Sequence, residues 1–344
     1  MLFHDLRDYI STIEKLGELT VVPGANPHLE IGAITEVASF RKKCPAVLFD
    51  SIPGFKKGYR ILTNFLANRT RERLVFGVAN NLTDPEAVLY WKNKLKEFTP
   101  MEPVATQNAP VKENVLLGSD VDLTLFPWPK WHQRDGGPYI CATSCVTRDP
   151  ESGYINLGSY RFMLLGKNRI VAHIGSGHHG DVIRKKYWTK GKSCPIAISL
   201  GQEPSLLVAA GTNLSWGVSE YGFAGWMRGG PVEITGGVAT DLPIPATAEV
   251  IFEGEMPPPE EGTDIEGPFG EFSGYYGGGA RPAPVTIVKS ILYRNHPIIL
   301  GSPPFLGSSR GVLSSRGILV WNELEALGIP DIKAVNYSWG MSII

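Results

Sequence analysis

The chain has 344 residues, a formal net charge of −1, 43% hydrophobic residues and 19% charged residues. This length predicts two or three domains of ordinary globular composition, and the near-zero charge argues against a general nucleic-acid or membrane-surface binder. No apolar run approaches the roughly 20 residues that span a bilayer, and the first residues lack the apolar core of a signal peptide. We therefore expect a soluble cytoplasmic protein with no nucleic-acid or membrane partner.

Residues 1 to about 110 are predicted to form a mixed α/β domain. Apolar residues recur at helical spacing over 5–19, and Gly17 is placed to end that helix. Runs of apolar and β-branched residues predict strands at 45–52 and 59–66. Helices and strands alternate in this part of the chain, which is typical of an α/β domain.

A further helix is predicted over 83–98, with Asp84 as its N-cap and Pro85 in its first turn. The segment that follows, 99–114, is polar and contains prolines. Such a composition predicts a linker between two domains.

Short β-like runs dominate the next part of the chain, from about 115 to 305. Glycine and proline are plentiful, at 39 and 27 residues, and their clusters separate the runs. The predicted strands are 140–149, 169–175, 196–201, 206–211, 231–240, 248–254, 284–294 and 297–304. This density predicts a sheet that is closed or half-closed into a barrel or sandwich.

Two helices are predicted in the second half of the chain. One interrupts the strands near 219–229, and the last spans 311–328, with Gly328 at its end and Pro330 just beyond. The final residues, AVNYSWGMSII at 334–344, have the pattern of the beginning of another strand.

The cysteines suggest no metal site, and the common nucleotide-binding and hydrolase motifs are absent from the sequence. No CxxC pair is present, and Cys141 and Cys145 lack a second pair of ligands for zinc, so we expect reduced thiols. The four cysteines are Cys44, Cys141, Cys145 and Cys194. The sequence also contains neither a Walker A motif nor the GxSxG elbow of serine hydrolases.

The first candidate site is the stretch 155–181, which contains Asn, Arg, Asp and several histidines among glycines. Gly158 and Ser159 indicate a place where the backbone approaches a ligand closely. His178 and His179 follow a glycine turn, and adjacent residues of an extended chain point in opposite directions, so we expect only one of them to enter a shared site. A turn with two solvated histidines is the alternative.

The second candidate is Glu220, which precedes a predicted helical turn. Its carboxylate could simply complement the positive end of the helix dipole. Taken with an asparagine oxygen and a histidine nitrogen, however, it completes a hard, mixed ligand set that suits Mn²⁺ or Mg²⁺ better than structural zinc.

The third candidate is the stretch DIEGPFGEFSGYYGGG, 264–279. Regular strand geometry would place Glu266 and Glu271 on opposite faces, since their separation is odd. The glycines and the proline between them break that geometry and allow the two carboxylates to converge. Two nearby carboxylates raise one pKa, and an arginine between them keeps the other ionised, which is the arrangement of a proton donor and its regulator. A glycine-rich hairpin with exposed glutamates is the alternative.

Five motifs, in this order, resemble the UbiD family of reversible decarboxylases, which use prenylated FMN. They are DLRDYISTIEKLGEL, NLGSYRFMLLGKNRIVAHIGSGHHG, SEYGFAGWMRGGPVE, LPIPATAEVIFEGE and EGPFGEFSGYY. The resemblance extends over nearly the whole chain, and the motifs occur at spacing similar to that of the family, although each motif alone is weakly specific.

The resemblance implies an α+β fold in consecutive parts. An N-terminal α/β domain would occupy 1–110, a flavin-reductase-like split β-barrel that binds prenylated FMN would occupy 115–308, and a linker helix would span 311–328. In the family a C-terminal α/β domain then helps to cover the flavin and builds the oligomer. Residues 329–344 resemble the start of that domain, which is otherwise absent, so we expect a truncated chain or a subunit of a larger assembly.

The resemblance also implies roles for individual residues. The metal, Mn²⁺ or Mg²⁺ with K⁺ nearby, would hold the flavin phosphate through Asn156, His179 and Glu220. The segment along the isoalloxazine would be Ser159, Tyr160 and Arg161. His178 would lie beside the metal-binding histidine in the cofactor site, with its role open. The catalytic network would be Arg161, Glu266 and Glu271.

These roles imply a reversible, non-oxidative decarboxylation of an aromatic or α,β-unsaturated carboxylic acid. Arg161 would hold the substrate carboxylate, the flavin would act as electron sink while CO₂ leaves, and Glu271 would deliver a proton under the control of Glu266 and Arg161. Four aromatic residues are candidates for the substrate pocket, although a core role is at least as well supported for each: Phe269, Phe272, Tyr275 and Phe305.

A flavin prenyltransferase resembling UbiX would supply the cofactor, and a homo-oligomer or an additional subunit would complete the assembly. Two other functions remain open from the sequence. One is a non-catalytic flavin-binding split-barrel subunit of a larger carboxylase. The other is metal-dependent hydrolysis at Asn156, His179 and Glu220.

Overall fold

The computed structural model describes residues 3–305, 313, 315–338 and 341–343. The α-helices within these residues are α1 Leu6–Lys15, α2 Glu30–Phe40, α3 Arg69–Phe76, α4 Asp84–Lys96, α5 His179–Trp188, α6 Pro204–Ala210, α7 Glu220–Arg228 and α8 Ser315–Ala326. Short 3₁₀ turns lie at Pro110–Lys112, Gly118–Asp120 and Leu123–Leu125.

Strands make up most of the middle of the chain, as the sequence predicts. In the first 150 residues they are β1 Leu19–Pro23, β2 Ala46–Asp50, β3 Arg60–Thr63, β4 Val104–Ala105, β5 Asn114–Leu117, β6 Tyr139–Ile140 and β7 Ser144–Arg148. Beyond them lie β8 Ile155–Gly158, β9 Arg161–Leu164, β10 Arg169–His173, β11 Cys194–Leu200, β12 Glu233–Gly236, β13 Pro243–Pro245, β14 Val250–Met256, β15 Thr263–Glu266, β16 Arg281–Tyr293, β17 Ile298–Leu300, β18 Asn336–Ser338 and β19 Met341–Ile343.

Helix α1 forms where the apolar spacing predicts it. The Asp5 side chain caps it by accepting a hydrogen bond from the Asp8 amide, and the residues at helical spacing, Leu6 and Tyr9 among them, are buried. Gly17 follows with φ of +68°, a left-handed conformation that favours glycine and ends the helix.

The N-terminal sheet has four strands in the order β1-β2-β3-β17. β1 and β2 are parallel, β2 and β3 are antiparallel, and β3 pairs in parallel with β17. Strand β17 comes from the far end of the predicted second domain, so the two parts of the chain share this sheet.

A buried carboxylate fastens the N-terminal helix to the later strands. Glu249 accepts hydrogen bonds from Arg7 Nε at 2.7 Å and Arg7 Nη2 at 2.8 Å, and its Oε1 lies 3.3 Å from Arg294 Nη1. Its second oxygen also accepts from the amide of Ile298 in β17 at 3.1 Å. Because a buried carboxylate is costly without such partners, this cluster favours a fixed arrangement of α1 against the strands.

The large sheet has ten strands, and its main path runs β6-β9-β10-β16-β14-β11-β7-β8. The long β16 also pairs with β5 and with β15. Within the described residues β6 and β8 do not pair with each other, so the path is open and no closed barrel is found. The chain is a mixed α/β protein, and the split-barrel description remains a prediction.

Alternate residues of the large sheet enter two hydrophobic cores. On β11, Ile196 and Ile198 belong to one core, and Ala197 between them belongs to the other. This is the period-2 alternation of a sheet that is buried on both faces. The first core also contains Tyr139, Tyr160 and other residues that line the site described below.

Two local predictions are wrong. The run at 206–211 is the helix α6, begun by Pro204 and capped by the Glu203 carboxylate, because a short apolar run fits a buried helix as well as a strand. The N-cap of α4 is Thr83 rather than Asp84. The Thr83 side chain and the Glu86 side chain bond each other's backbone amides as a capping box.

The predicted helix at 219–229 is confirmed by α7, and the described part of the last predicted helix is α8. Residues 311, 312 and 314 of that prediction lie outside the described residues. Strands β18 and β19 form an antiparallel hairpin where the sequence predicts one strand. No described helix combines the length and the apolar composition needed to cross a bilayer.

Candidate active site

Arg161 and His173 are opposite each other on the antiparallel strands β9 and β10. Directly opposed residues of two paired strands project to the same face. Both line a cavity of about 410 Å³ whose walls also include Phe65, Leu207 and Phe269. The strand register therefore brings a guanidinium and an imidazole into one largely apolar cavity.

Arg161 joins the two glutamates of the third candidate stretch. Its Nε donates to Glu266 Oε1 at 3.1 Å, and its Nη1 donates to Glu271 Oε1 at 2.7 Å. Among the residues that the structure describes, the Nη2 group of Arg161 makes no hydrogen bond. The guanidinium thus holds both carboxylates and keeps one pair of N–H donors for a ligand.

Glu266 is the buried member of this network, with a side chain 2% exposed. Besides Arg161, its Oε1 accepts a hydrogen bond from the Tyr139 hydroxyl at 3.2 Å. Its Oε2 lies 3.8 Å from His173 Nδ1 and 3.7 Å from Arg281 Nε. Two guanidinium groups, an imidazole and a phenol therefore surround this carboxylate.

Burial and the neighbouring charges shift two pKa values in the cavity. Burial lowers the pKa of Arg161, but the nearby Glu266 and Glu271 carboxylates outweigh it and raise the pKa above the ordinary value. Burial, followed by the positive charge of Arg161, lowers the pKa of His173 from 6.5 to about 4. His173 is therefore neutral near pH 7, and Arg281 lies within hydrogen-bond distance of its Nδ1.

The glycines between the two glutamates allow them to converge, as the sequence predicts. Glu266 ends β15, and Gly267 follows with φ of +90°, a conformation that L side chains rarely adopt. The chain then turns so that the amide of Glu271 bonds the carbonyl of Tyr275 at 2.9 Å. The two carboxylates meet at Arg161 because regular strand geometry stops between them.

Of the four aromatic residues predicted near the substrate, one lines the first cavity and three do not. Phe269 lines the cavity, and the Arg161 guanidinium carbon lies 4.2 Å from its ring centre. Phe272 and Tyr275 are exposed instead. Phe305 is buried and packs against Phe40, outside the residues that line the cavity.

A second cavity, of about 440 Å³, adjoins the first through Ser159, Tyr160 and His178, which line both. All three predicted metal ligands, Asn156, His179 and Glu220, lie in its wall. The strand β8 contributes Asn156, and the first residues of the helices α5 and α7 contribute His179 and Glu220.

Glu220 is a buried carboxylate without a cationic partner among the described residues. It accepts hydrogen bonds from the amide of Leu157 at 3.0 Å and from the Tyr154 hydroxyl at 3.2 Å and 3.3 Å. Burial raises its pKa to about 7. No group of three or more His, Cys, Asp and Glu residues with metal-site geometry is found in the described part of the chain. Asn156, His179 and Glu220 are not such a group, because only two of the three are of these residue types.

The expectation that only one of the adjacent histidines enters the site is wrong. Both His178 and His179 line the second cavity, and His178 lines the first as well. They are the N-cap and the first residue of α5 rather than parts of an extended strand, so the alternation of strand side chains does not apply. The ring of His179 packs against Trp216 and Tyr154, at centroid distances of 5.0 Å and 6.2 Å.

Tyr160 lies in a slot between two glycines. A Cβ atom at Gly158 would lie 2.2 Å from the Tyr160 hydroxyl oxygen, and one at Gly180 would lie 2.6 Å from it. The amide of Gly180 also donates to that oxygen at 3.1 Å. The close approach at Gly158 is therefore to the ring of Tyr160, which lines both cavities, and the predicted approach to a ligand stays a prediction.

The cysteines are buried thiols, in agreement with the sequence. Cys141 lines the first cavity, but burial raises its pKa to about 12. A thiol with such a pKa is a poor nucleophile near neutral pH. Cys141 is therefore a poor candidate for a nucleophile in this cavity.

Comparison with known proteins identifies the family. A sequence model described as "3-octaprenyl-4-hydroxybenzoate carboxy-lyase Rift-related domain" matches residues 102–305, and one described as the N-terminal domain of the same carboxy-lyase matches residues 10–88. The chain belongs to the UbiD family. Family membership and the carboxy-lyase class predicted from the sequence are thereby confirmed.

Curated relatives of this UbiD-family chain include two decarboxylases. The phenolic acid decarboxylase of Streptomyces sp. (strain D7) is 32% identical, over 100% of this chain and 74% of that protein. The pyrrole-2-carboxylic acid decarboxylase of Pseudomonas aeruginosa is 33% identical, over 87% of this chain and 62% of that protein. The chain thus spans about two-thirds of the length of these relatives.

Solved UbiD-class structures share the fold. The vanillic acid decarboxylase of Sedimentibacter hydroxybenzoicus in its closed form is 30% identical, with a TM-score of 0.87, over 98% of this chain and 73% of that chain. An evolved dimeric form of the UbiD-class enzyme HmfF from Pelotomaculum thermopropionicum, in complex with prFMN, is 28% identical, with a TM-score of 0.85, over 98% and 76% of the two chains.

Several residues of the site lie outside the sequence predictions. Tyr139, Arg281 and Trp216 were not singled out, and His173 was noted only as part of its stretch. No local sequence pattern marks them, since each is an ordinary residue of a strand or loop when only its neighbours in the sequence are considered. The segment that contains Tyr139, HQRDGGPYI, has two adjacent glycines, and that is the one signal that could have directed attention to it.

Proposed function

We propose that this chain catalyses the reversible, non-oxidative decarboxylation of an aromatic or α,β-unsaturated carboxylic acid, with prenylated FMN as cofactor. The observation that supports it best is that Arg161, in the wall of a largely apolar cavity, bridges Glu266 and Glu271. The named activities of the relatives, on phenolic acids and on pyrrole-2-carboxylic acid, support the same class of reaction.

The two adjoining cavities suit an elongated cofactor. The first has the reactive groups, the second has polar and ligand-type groups, and the Ser159–Arg161 segment extends along both. A flavin ring near Arg161 with its phosphate near Glu220 would use both cavities. Once bound, the modified flavin supplies an electron sink for the charge that remains when CO₂ leaves.

The uncompensated charge of Glu220 supports a divalent cation in the second cavity. Its carboxylate is buried without a cationic side chain nearby, and burial raises its pKa to about 7. Asn156, which contributes an amide oxygen, and His179, which contributes a ring nitrogen, lie in the same wall. We infer that these three residues hold Mn²⁺ or Mg²⁺, with K⁺ nearby, and that the metal neutralises both Glu220 and the cofactor phosphate.

Arg161 is the proposed anchor of the substrate carboxylate. Its Nη2 donors have no partner among the described residues, and its other nitrogens are fixed by the two glutamates. The apolar walls contributed by Phe65, Leu207 and Phe269 would exclude water and receive the aromatic or conjugated part of the acid. Low polarity around the carboxylate also favours its loss as neutral CO₂.

The two glutamates are proposed to have different roles. Glu271 is the proton donor, since its side chain is 29% exposed and makes one hydrogen bond to Arg161. Glu266 is the proposed buried counter-charge of Arg161, and it also faces Arg281 and Tyr139. In the reverse direction Glu271 would accept the proton as CO₂ is added.

The fold around the site, the supply of its cofactor and its assembly are also proposed. We propose that the large sheet is the split barrel of a prenyl-FMN domain, with the boundaries predicted from the sequence, and that a UbiX-like flavin prenyltransferase supplies the cofactor. A homo-oligomer or a further subunit and a cytoplasmic location belong to the same proposal.

The test is turnover by protein co-expressed with a flavin prenyltransferase. The panel would contain phenolic acids, pyrrole-2-carboxylic acid and cinnamic-type acids, with CO₂ release as the measurement. Glu271→Gln is expected to lose at least about a hundredfold in kcat, the usual contribution of general acid catalysis. Glu255→Gln, which removes a comparable half-exposed carboxylate paired with Lys289, is the matched control and should retain activity.

Two results would contradict the proposal in different ways. Bound flavin without turnover of any acid would favour the non-catalytic flavin-binding subunit. Flavin-free protein that hydrolyses esters in the presence of Mn²⁺ would favour metal-dependent hydrolysis. Treatment with a chelator provides the metal test, because flavin retention should fall and should return when Mn²⁺ is added.

A further inference from the structure

The loop that contains the proposed proton donor Glu271 lies along a second segment, 134–139, far away in sequence. Four contacts join them in order. The Tyr139 hydroxyl bonds Glu266, the amide of Gly136 bonds the carbonyl of Pro268, Asp135 bonds the amide of Gly270, and the amide of Arg134 bonds the Tyr276 hydroxyl. The glutamate loop is therefore bound at several places from its first residue onward.

We propose that Asp135 is a positioning residue for Glu271, and that it acts by fixing the backbone immediately before that glutamate. This proposal rests on the proposed role of Glu271 as proton donor. The Asp135 carboxylate bonds backbone amides, one of them in the glutamate loop, so the proposed effect passes through the position of that loop.

The contacts of Asp135 support a fixed position. The side chain is buried, its Oδ1 accepts a hydrogen bond from the Gly270 amide at 2.9 Å, and its Oδ2 accepts one from the His132 amide at 2.9 Å. A buried carboxylate is costly unless it is hydrogen-bonded, so both bonds contribute to its stability. Gly270 directly precedes Glu271, so the hydrogen bond to the Gly270 amide fixes the backbone from which the Glu271 side chain extends.

Steric contacts restrict the same loop. A Cβ atom at Gly136 would lie 2.3 Å from the carbonyl oxygen of Gly267, and one at Gly270 would lie 2.6 Å from His132 Nδ1. At Gly136 the neighbouring atoms are backbone, so only glycine fits there, whereas at Gly270 they belong to the His132 ring. The amide of Gly136 bonds the Pro268 carbonyl at 2.8 Å across this contact.

The two glutamates depend on Asp135 to different degrees. Glu266 is already held by side-chain contacts to Arg161, Tyr139 and Arg281. Within the described part of the chain, the Glu271 carboxylate has one hydrogen-bond partner, Arg161, and the residue is otherwise placed by its backbone. Loss of the Asp135 carboxylate should therefore release Glu271 and leave Glu266 in position.

The first experiment is limited chymotrypsin digestion of the purified chain, with cleavage sites assigned by mass spectrometry. Phe272 and Tyr275 are exposed chymotrypsin sites in the loop. Asp135→Ala should speed cleavage at these sites by about tenfold or more, because local opening becomes easier when the loop loses a buried hydrogen bond. Asp5→Ala, which removes the cap of the distant α1, is the stability control and should not change cleavage at these two sites.

Asp135→Asn provides the rescue, because its side-chain oxygen can still accept from the Gly270 amide. It should show an intermediate cleavage rate, and it keeps the test decisive if Asp135→Ala does not fold. Unchanged cleavage in both variants, or an increase that Asp5→Ala reproduces at the same sites, would overturn the positioning role.

The second experiment measures the effect on proton transfer. In the loaded enzyme, Asp135→Asn should lower kcat at unchanged KM, and it should slow the exchange of the product C–H with D₂O, since the same group that delivers the proton removes it in reverse. A change in KM alone would contradict the proposal. If the wild type shows no turnover, the proposed function fails, whereas the proteolysis result still decides whether Asp135 positions the loop.

Discussion

Glu266 and Glu271 bind the same guanidinium, but the Glu266 side chain is 2% exposed and that of Glu271 is 29% exposed. The first carboxylate is part of the interior, and the second is partly accessible to solvent. The two members of the ion-pair network therefore lie in different environments.

This asymmetry predicts different stabilities for the two Gln variants. Glu266→Gln should lower the free energy of unfolding by about 3 kcal/mol, because it leaves Arg161 and Arg281 without their buried counter-charge. Glu271→Gln should change it by less than about 1 kcal/mol, since the ion pair is partly solvated. Urea unfolding at pH 7 measures both. Equal losses in the two variants would contradict the distinction.

The lowered pKa of His173 predicts a pH dependence of stability. The unfolded chain protonates this imidazole below pH 6.5, whereas the folded chain protonates it only near pH 4, because burial and Arg161 oppose the charge. Between these values the unfolded state binds more protons, so acidification from pH 6.5 to 4 destabilises the fold.

His173→Gln should reduce this loss of stability. The slope of unfolding free energy against pH should become less steep between pH 6.5 and 4, by at most about 1.4 kcal/mol per pH unit, the value for one proton. The partial exposure of the side chain, 32%, makes a smaller change the expected one. Urea titrations at several pH values measure the slope. Identical slopes in wild type and variant would show that His173 does not cause the loss of stability.

The slot around Tyr160 predicts that Gly158→Ala impairs flavin binding. The new Cβ would lie 2.2 Å from the Tyr160 hydroxyl oxygen, so the ring must move, and it lies at the boundary of the two proposed cofactor cavities. Flavin retention, read from the visible absorbance of the purified protein, should fall severalfold or more. Gly166→Ala, where no atom lies within 4 Å of the added Cβ, is the matched control and should retain flavin.

A buried arginine in the N-terminal part predicts a large effect on stability. Arg71 is fully buried and donates to the carbonyls of Cys44, Asn64 and Phe65 and to the carboxylate of Glu18. Arg71→Met should cost about 3–5 kcal/mol, since it leaves buried acceptors without donors.

Arg69→Met, two residues earlier on the same helix, is the control for this change. Its side chain is 58% exposed and, among the described residues, forms an ion pair with Asp84 alone, so the expected loss is below about 1 kcal/mol. Phe65 lines the first cavity, so Arg71→Met should also alter substrate affinity if enough protein folds. A loss similar to that of Arg69→Met would show that the carbonyl contacts contribute little.

Much of the candidate site could be predicted from the sequence because its residues occur in short, unusual patterns. Asn156 and Arg161 are five residues apart, and Glu266 and Glu271 flank a glycine-rich bend that interrupts a strand. The helices α1 and α7 were predicted for a similar reason, since their apolar spacing and their glycine ends are local signals.

Other elements could not be predicted from local patterns. The run at 206–211 is apolar and short, so its helical state was decided by Pro204, by the Glu203 cap and by packing. The strands β3 and β17 pair although more than two hundred residues separate them, and no local pattern indicates that partnership.

By itself the sequence determined the family, the mixed α/β class and the side chains able to perform acid–base and metal chemistry, because residue type and near-neighbour spacing are written in it directly. Only the tertiary structure decided which of those groups meet. Tyr139 contacts Glu266 across 127 residues of chain, and Asp135 contacts Gly270 across 135. Such contacts arise from strand register and close glycine packing, which depend on the whole sheet rather than on any one segment.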